Sequence, residues 1–278
     1  MGKTLLSFGH GYSAQALVAV LPDDWRVIGT SRVGGKRVQD GVESVLFPGS
    51  DMKAYLDGAT HLLISAGPDE AGDPVLRELR DEIAKREFDW VGYLSTTGVY
   101  GDHQGDWVDE TTPLTPSTRR GKWRVAAEAE WQAMGLPLHI FRLAGIYGAG
   151  RGPFSKVRAG TARRIIKEGQ VFSRIHVEDI AQVLAASIAQ PNAGAVYNLC
   201  DDDPAPPQDV IGYAAELLGV PLPEAVEYDT ADMTPMARSF YAESKRVRND
   251  RIKDELGVVL KYLNYRVGLQ ALLGLEAE

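Results

Sequence analysis

The sequence predicts a doubly wound α/β fold, in which helices cover both faces of a parallel sheet, with a smaller C-terminal α/β lobe. Two observations support this prediction. Short apolar runs with the composition of buried parallel strands recur at residues 4–7, 26–29, 44–47, 61–65, 90–95, 138–143 and 196–199. Helix-like segments separate most of them, and this alternation favours parallel strands joined by right-handed crossovers.

The sequence predicts helices at residues 13–21, 74–85, 123–134, 209–218 and 248–256. A Gly- and Arg-rich stretch at residues 148–152 predicts a mobile loop that leads into a basic helix. The acidic, proline-rich residues 201–208 are expected to form a surface turn. We therefore expect a main domain over residues 1–150, to which residues 174–200 return, and the smaller lobe over residues 151–278.

Composition excludes several classes of function. The chain has 278 residues and a formal net charge of −8, which disfavours general attraction to nucleic acid or to an anionic membrane. No apolar stretch approaches the roughly 20 residues that span a bilayer. Cys200 is the only cysteine, so we expect neither a disulfide nor a cysteine-based zinc site, as suits the cytoplasm. The histidines show no metal-ligand spacing, and we expect no metal.

A glycine-rich turn follows the first predicted strand. It contains Gly9, Gly11, Tyr12, Ser13 and Ala14 in a Gly-x-Gly-x-x-Ala pattern that opens the first helix. The glycines permit a tight turn and let a pyrophosphate approach the backbone, and the small third position lets the helix pack on the strand. The pattern predicts a Rossmann-type site for a nicotinamide dinucleotide.

The end of the second strand bears on the choice of cofactor. An NAD-binding site places a carboxylate there to hold the ribose hydroxyls, whereas this chain has Ser31 and Arg32. A hydroxyl and a guanidinium suit a 2′-phosphate, so the sequence favours NADP over NAD. The alternative is that Arg32 is solvated in a basic loop with Lys36 and Arg37.

Later stretches carry a resemblance to a known family. Residues 93–101 read Tyr-Leu-Ser-Thr-Thr-Gly-Val-Tyr-Gly, residues 141–148 Phe-Arg-Leu-Ala-Gly-Ile-Tyr-Gly, and residues 174–181 Arg-Ile-His-Val-Glu-Asp-Ile-Ala. With the glycine turn and residues 197–199, this ordered set resembles the extended short-chain dehydrogenases/reductases, in the NAD-dependent epimerase/dehydratase branch. The resemblance covers about three quarters of the chain.

The resemblance implies further site residues. It places Ser65, Ala66 and Gly67 in the dinucleotide cleft, and the stretch from Leu143 to Ile146 beside the nicotinamide. Thr96 matches the family's substrate-binding hydroxyl, which would hydrogen-bond a carbonyl or alkoxide as charge develops. The alternative is that the Thr96 hydroxyl caps the end of its strand.

The family's catalytic Tyr-x-x-x-Lys pair is missing. Its alignment puts Arg120 at the tyrosine position and Arg124 at the lysine position. Arg124 retains the ability to donate to ribose hydroxyls, but a guanidinium does not exchange protons near neutral pH. Tyr100, close after Thr96, is the candidate proton donor, with Tyr147 as the other phenol near the cleft. The alternative for Tyr100 is a packed aromatic residue.

Basic residues surround the position of the missing pair. Arg119, Arg120, Lys122 and Arg124 lie near a helix N-terminus, where the helix dipole disfavours cations. We expect Arg120 and Arg151 to bind an anionic substrate, with Lys156 and Arg158 close to the same ligand. The alternative is a solvated basic face or an interface.

Two functions remain open from the sequence. One is an NADP-binding oxidoreductase or epimerase that acts on a small anionic or sugar-derived substrate through a non-standard site. The other is a catalytically inactive dinucleotide-binding sensor or scaffold, because fold alone does not fix function. A homodimer through the helix with Trp123 and Trp131 is a further expectation, and two core tryptophans are its alternative.

Overall fold

A computed structural model describes residues 2–33 and 39–276, so Lys36 and Arg37 lie outside the described residues. The strands are β1 (Thr4–Phe8), β2 (Arg26–Ser31), β3 (Val42–Leu46), β4 (His61–Ile64), β5 (Trp90–Thr96), β6 (Trp107–Val108), β7 (Leu138–Leu143), β8 (Gly145–Tyr147), β9 (Arg164–Ile166), β10 (Arg174–His176), β11 (Val196–Leu199), β12 (Ala225–Glu227) and β13 (Arg246–Val247). The helices are α1 (Tyr12–Val18), α2 (Lys53–Gly58), α3 (Pro74–Ile83), α4 (Arg119–Gln132), α5 (Phe154–Arg158), α6 (Val177–Ala189), α7 (Pro207–Leu217), α8 (Pro235–Phe240), α9 (Asp250–Asp254) and α10 (Tyr265–Glu276), with a 3-10 turn at Thr97–Tyr100.

Seven strands form one parallel sheet in the order β11-β7-β5-β4-β1-β2-β3. Each of the seven apolar runs predicted from the sequence forms one of these strands, and the predicted fold class is confirmed. The order reverses at β1, because β2 and β3 lie on one side of it and β4 on the other. Ligands of open α/β sheets bind in the crevice at such a reversal point.

Helices cover both faces of the central strands, which explains why β1 and β4 are buried along their whole length. Consecutive residues of a strand point to opposite faces, and Leu5 and Leu6 accordingly belong to two different core clusters. The Leu5 cluster includes residues of α1 and α6. The Leu6 cluster includes residues of α2, α3 and α4, among them the fully buried Trp131.

Helix α4 begins earlier than the sequence predicted. Its prediction started at residue 123, but the helix begins at Arg119, because the hydroxyl of Thr118 accepts a hydrogen bond from the Gly121 N–H at 3.1 Å. A Thr side chain at this position satisfies one of the free N–H groups of the first turn. The earlier start places Arg120 in the first turn of the helix.

A third core cluster lies in the C-terminal half of the chain, where the sequence predicts the smaller lobe. It joins buried residues of α5, α7 and α10 to Tyr147 of β8. The expectation of a surface turn at residues 201–208 is wrong at Asp201, which is 1% exposed, and at Ala205, whose backbone pairs with Phe172. In the described part of the chain, no helix combines the length and apolarity needed to cross a membrane.

Candidate functional site

The glycine turn lies where the sheet order reverses. Gly9 follows β1 with a φ of +76°, a conformation that favours glycine. Its N–H donates to the Thr30 hydroxyl at 3.0 Å, and a Cβ added to Gly9 would lie 2.7 Å from the Ala66 nitrogen. The turn is therefore held tightly between β2 and the loop that follows β4.

The space above the turn is open. A Cβ added to Gly11 would meet no atom closer than the Gly9 oxygen, at 3.7 Å. Gly11 caps α1 without a side-chain hydrogen bond, and Ala14 is fully buried against the sheet. Since nothing from the described chain fills the space in front of the backbone, these residues fit a pyrophosphate.

One cleft of about 1190 Å³ extends from this turn toward the smaller lobe. Five of the predicted cofactor residues line it, namely Tyr12, Ser13, Ser65, Leu143 and Ile146. Thr96, Arg120, Arg124 and Arg151 line it as well. Residues that the sequence predicted from separate motifs are thus brought together at the carboxyl edge of the sheet.

The other seven predicted cofactor residues lie beyond the lining of this cleft, namely Gly9, Gly11, Ala14, Ser31, Arg32, Ala66 and Gly67. Ser31 ends β2, and its hydroxyl accepts a hydrogen bond from the Val33 N–H at 3.1 Å. Arg32 follows it and is exposed. Both lie at the carboxyl end of the strand beside the glycine turn, where an adenine ribose is held in a Rossmann-type site.

The guanidinium of Arg124 lies between β5 and the loop that follows β4. Its Nη1 donates to the Tyr93 hydroxyl at 3.0 Å and to the Leu94 carbonyl at 2.8 Å. Its Nη2 lies 3.2 Å from where a Cβ on Gly67 would be. Glycine at position 67 therefore leaves room for the Arg124 guanidinium. The charge of Arg124 lies on the side of the cleft where the loop after β4 was predicted to bind the dinucleotide.

The exposed cations lie at two different edges of the cleft. Arg120 is exposed in the first turn of α4, and neighbouring Arg119 lies over the Trp123 ring at 5.2 Å. Arg151 lies 5.8 Å from the Tyr12 ring centroid, and the Tyr12 hydroxyl donates to the Ala149 carbonyl at 2.9 Å. The loop that contains Ala149 and Arg151 thus packs on Tyr12 of the Gly9 turn.

Thr96 ends β5 within the cleft. Its hydroxyl accepts a hydrogen bond from the Gly98 N–H at 3.1 Å and so caps the 3-10 turn that follows. This is the capping contact that the sequence left as an alternative. The hydroxyl proton remains available to a ligand, since the capping bond uses only the oxygen as acceptor.

The expectation that Tyr100 is the proton donor is corrected by its position. Tyr100 is 0% exposed and does not contribute to the lining of the cleft. Its hydroxyl donates to Asn198 Oδ1 at 2.7 Å and accepts from Arg142 Nη1 at 3.0 Å, and burial raises its pKa to about 12. The 3-10 turn directs this ring into the core.

Tyr100 belongs to a buried polar network beneath the cleft. Arg142 Nη2 pairs with Glu128 Oε2 at 2.8 Å, with side chains 5% and 2% exposed. Ser95 donates to the same carboxylate through its hydroxyl. This network ties α4 to β5 and β7, and thereby fixes the floor under Thr96 and Arg124.

Part of the cleft comes from residues that the sequence did not identify. They lie on β10, just before it, and on the segment after β12, and are Phe172, Arg174, Met236, Phe240, Tyr241, Glu243 and Lys245. One signal was present, since Arg174 is a charged residue that directly precedes an apolar strand position and the His-Val-Glu-Asp stretch. The segment after β12 carries no motif.

The remaining predicted groups have structural contacts. His176 caps α6 through a hydrogen bond from the Glu178 N–H to its Nδ1 at 3.3 Å, and burial lowers its pKa to about 4. Trp131 is buried in the core and cannot form part of an exposed dimer surface, whereas Trp123 lines the cleft. Within the described ranges, no three potential metal-ligating side chains converge.

Comparison with known proteins places the chain among relatives of similar length. Protein YeeZ of Escherichia coli is 33% identical over 218 residues, which cover 69% of this chain and 76% of that protein. A conserved protein of unknown function from Silicibacter pomeroyi is 68% identical, with a TM-score of 0.94 over 99% of both chains. No family model matches the sequence.

The fold extends to nicotinamide-dependent enzymes. UDP-glucuronic acid 4-epimerase from Bacillus cereus, solved with UDP-glucuronic acid and NAD, has a TM-score of 0.81 over 98% of both chains at 14% identity. At that identity the likeness shows a common fold. This common fold is the one that the resemblance in the sequence motifs implied.

Proposed function

This chain belongs to the family of Escherichia coli protein YeeZ and has the fold of the extended short-chain dehydrogenases/reductases, and from this premise we propose that it is a nicotinamide-dinucleotide-dependent oxidoreductase or epimerase. One observation carries the proposal. A single cleft runs from Tyr12 and Ser13, which follow the glycines of the Gly9 turn, to a cationic end that includes Arg120 and Arg174. A small anionic or sugar-derived substrate fits the charge of that end.

The chain's own residues divide the work along the cleft. The Gly9 turn holds the pyrophosphate, and Arg124 donates to the nicotinamide ribose from its position beside Gly67. Thr96 orients the reacting oxygen of the substrate by hydrogen bonding. When bound, the nicotinamide supplies or accepts the hydride. Because Arg120 and Arg124 do not exchange protons near neutral pH, the proton passes through water in the cleft.

Turnover tests this proposal. NADH and NADPH are mixed with panels of aldehydes, ketones and oxidised sugars, and absorbance at the reduced nicotinamide band is followed. We expect measurable oxidation that falls about 100- to 1,000-fold in Thr96→Val, because a hydrogen bond to developing charge is lost. Thr96→Ser keeps the hydroxyl and should retain most of the rate. No turnover with any substrate, or equal rates in both variants, would contradict the proposal.

A second function has its own support. Arg120 stands exposed at the position of the family's tyrosine, and Tyr100 is buried away from the cleft. A dinucleotide-binding sensor or scaffold needs no proton donor. For a sensor we expect no turnover, combined with partner binding that differs between the oxidised and the reduced dinucleotide.

Arg32 is proposed to select NADP over NAD through the 2′-phosphate. In Arg32→Ala we expect the dissociation constant for NADP to rise about 10- to 100-fold, as one charge-assisted hydrogen-bond pair is worth roughly 1.5–3 kcal/mol. The constant for NAD should stay within twofold. Nicotinamide fluorescence titrations of the reduced cofactors measure both.

Arg26→Ala is the matched control for this titration. Arg26 begins the same strand, is exposed, and pairs with Glu43 at 2.7 Å. This control should leave the affinity for both cofactors unchanged. NAD is the alternative cofactor, and an unmodified protein that binds NAD more tightly than NADP would show that the assignment to NADP is wrong.

A further inference from the structure

Six cationic side chains and one carboxylate line the cleft, namely Arg119, Arg120, Arg124, Arg151, Arg174, Lys245 and Glu243. Their surroundings differ. Arg119, Arg120 and Arg151 are exposed, and Lys245 is paired with Glu243 at 3.0 Å. Arg124 faces the dinucleotide end. Arg174 is half-buried, and among the described cations of the cleft it is the one that lies at the end proposed for the substrate without an ion-pair partner.

Strand pairing places Arg174 at the reacting end of the cleft. Strand β10 runs parallel to β8, with Arg174 beside Gly145 and Ile175 beside Ile146. The Arg174 Cγ lies 3.7 Å from where a Cβ on Gly145 would be. Gly145 and Ile146 belong to the stretch that the family resemblance puts next to the nicotinamide. The strand register therefore places Arg174 beside the stretch to which the resemblance assigns the nicotinamide.

The guanidinium is fixed by one nitrogen and leaves the others for a ligand. Nη1 donates to the carbonyl oxygens of Phe172 at 2.8 Å and Ala205 at 3.0 Å. Nε and Nη2 make no hydrogen bond to residues 2–33 or 39–276. Neither nitrogen is among the fully buried polar atoms, so both remain accessible to a ligand. These two nitrogens form a planar fork that matches a carboxylate.

The charge of Arg174 lacks a close counter-ion. No carboxylate of the described chain lies within 4 Å of it, and burial lowers the pKa of its guanidinium. Asp201 is a buried acid close enough to feel the charge of Arg174. Burial raises the pKa of Asp201 to about 8, and the positive charge of Arg174 only partly opposes this increase. Asp203 also acts on Arg174, but neither acid lies within ion-pair distance among the described residues, so neither occupies the guanidinium nitrogens.

Three phenols lie around Arg174 in the cleft. Burial raises the pKa of Tyr147, Tyr241 and Tyr265, and in each case the charge of Arg174 lowers it, so all three lie within its field. Phenols whose pKa is raised stay protonated. The Tyr147 hydroxyl donates its proton to the Asn264 carbonyl at 3.4 Å, so Tyr241 and Tyr265 are the donors left for a ligand. An arginine with neutral donors around it forms a receptor for a single negative charge.

On this basis we infer that Arg174 is the receptor for a carboxylate on the substrate, held in the fork of Nε and Nη2 beside the nicotinamide end. The inference rests on the proposed function and narrows its anionic substrate to a carboxylic acid. A carboxylate carries the one charge that Arg174 can balance, whereas phosphate brings nearly two.

Matched ligand pairs test this inference. Acetate, malonate, benzoate and D-glucuronate are titrated by calorimetry against acetamide, malonamide, benzamide and D-glucose, with and without NADPH. We expect at least one carboxylate to bind 10-fold or more tightly than its neutral partner, and to lose that preference in Arg174→Gln. Arg119→Gln, an exposed cation of the same cleft, should keep the preference. Arg174→Lys should retain part of it.

The outcomes separate this inference from the proposed function. The affinity of Arg174→Gln for NADPH is measured as well. A dissociation constant within twofold of that of the unmodified protein shows that the variant has kept the dinucleotide site. If that variant does not fold, carboxylate-specific increases in Tm of the unmodified protein remain the test. A carboxylate preference without NADPH supports the site even if the cofactor does not bind. No preference for any carboxylate, a preference that survives in Arg174→Gln, or tighter binding of inorganic phosphate than of every carboxylate would overturn it.

Discussion

Replacing Gly9 with alanine is expected to weaken dinucleotide binding about 10- to 100-fold. Alanine at a φ of +76° is strained, and its Cβ would lie 2.7 Å from the Ala66 backbone nitrogen, which cannot move aside as a flexible side chain does. The free variant is expected to relieve this strain by moving the turn, and dinucleotide binding must then restore it at a cost of roughly 1–3 kcal/mol. Each 1.4 kcal/mol or so changes the dissociation constant tenfold. Titration with NADH and NADPH measures the loss.

Gly58→Ala serves as the control for Gly9. Gly58 ends α2, and a Cβ added there would meet no atom within 4 Å. This variant should bind both dinucleotides as the unmodified protein does. If Gly9→Ala folded normally and bound the dinucleotides with unchanged affinity, the turn would not be the pyrophosphate site.

The largest expected loss of stability comes from Glu128→Ala. The substitution leaves the buried guanidinium of Arg142 without its carboxylate and removes the acceptor of Ser95. Breaking a buried ion pair by removing one partner costs about 3–5 kcal/mol, because the remaining charge is desolvated and uncompensated. Urea denaturation should show this decrease in the free energy of unfolding.

A residue two positions along the same helix provides the comparison. Glu130 pairs with Arg80, but their side chains are 40% and 42% exposed. Exposed pairs of this kind contribute about 0–1 kcal/mol. Glu130→Ala should therefore change the free energy of unfolding by less than about 1 kcal/mol. Equal losses in the two variants would show that the Glu128–Arg142 pair does not stabilise the floor of the cleft.

The sheet could be predicted from the sequence because burial on both faces leaves a local signal. Every residue of β1 is buried, and the strand appears in the sequence as a short, mainly apolar run. Helix boundaries were less accurate where a cap decides them. Helix α4 begins four residues before its prediction because Thr118 caps a turn that contains Arg119 and Arg120, residues with no apolar periodicity.

The dinucleotide end of the site was predicted better than the substrate end. Gly9, Ser65 and Leu143 follow strands of one parallel sheet, whose carboxyl ends meet at one edge. Arg174 and Tyr241 reach the cleft through long-range packing that no local pattern records. Tyr100 follows β5 as well, but the 3-10 turn directs its ring toward Asn198. A short local turn of this kind reverses the direction of a side chain without changing the strand pattern.

A crystal structure of the protein grown with saturating NADPH tests whether the cleft is a dinucleotide site. We expect the pyrophosphate against the backbone of the Gly9 turn, the 2′-phosphate beside Arg32, and the nicotinamide beside Leu143 and Ile146 with Arg174 facing it. A dinucleotide bound elsewhere, or a cleft that stays empty with NADPH and with NADH, would contradict this assignment.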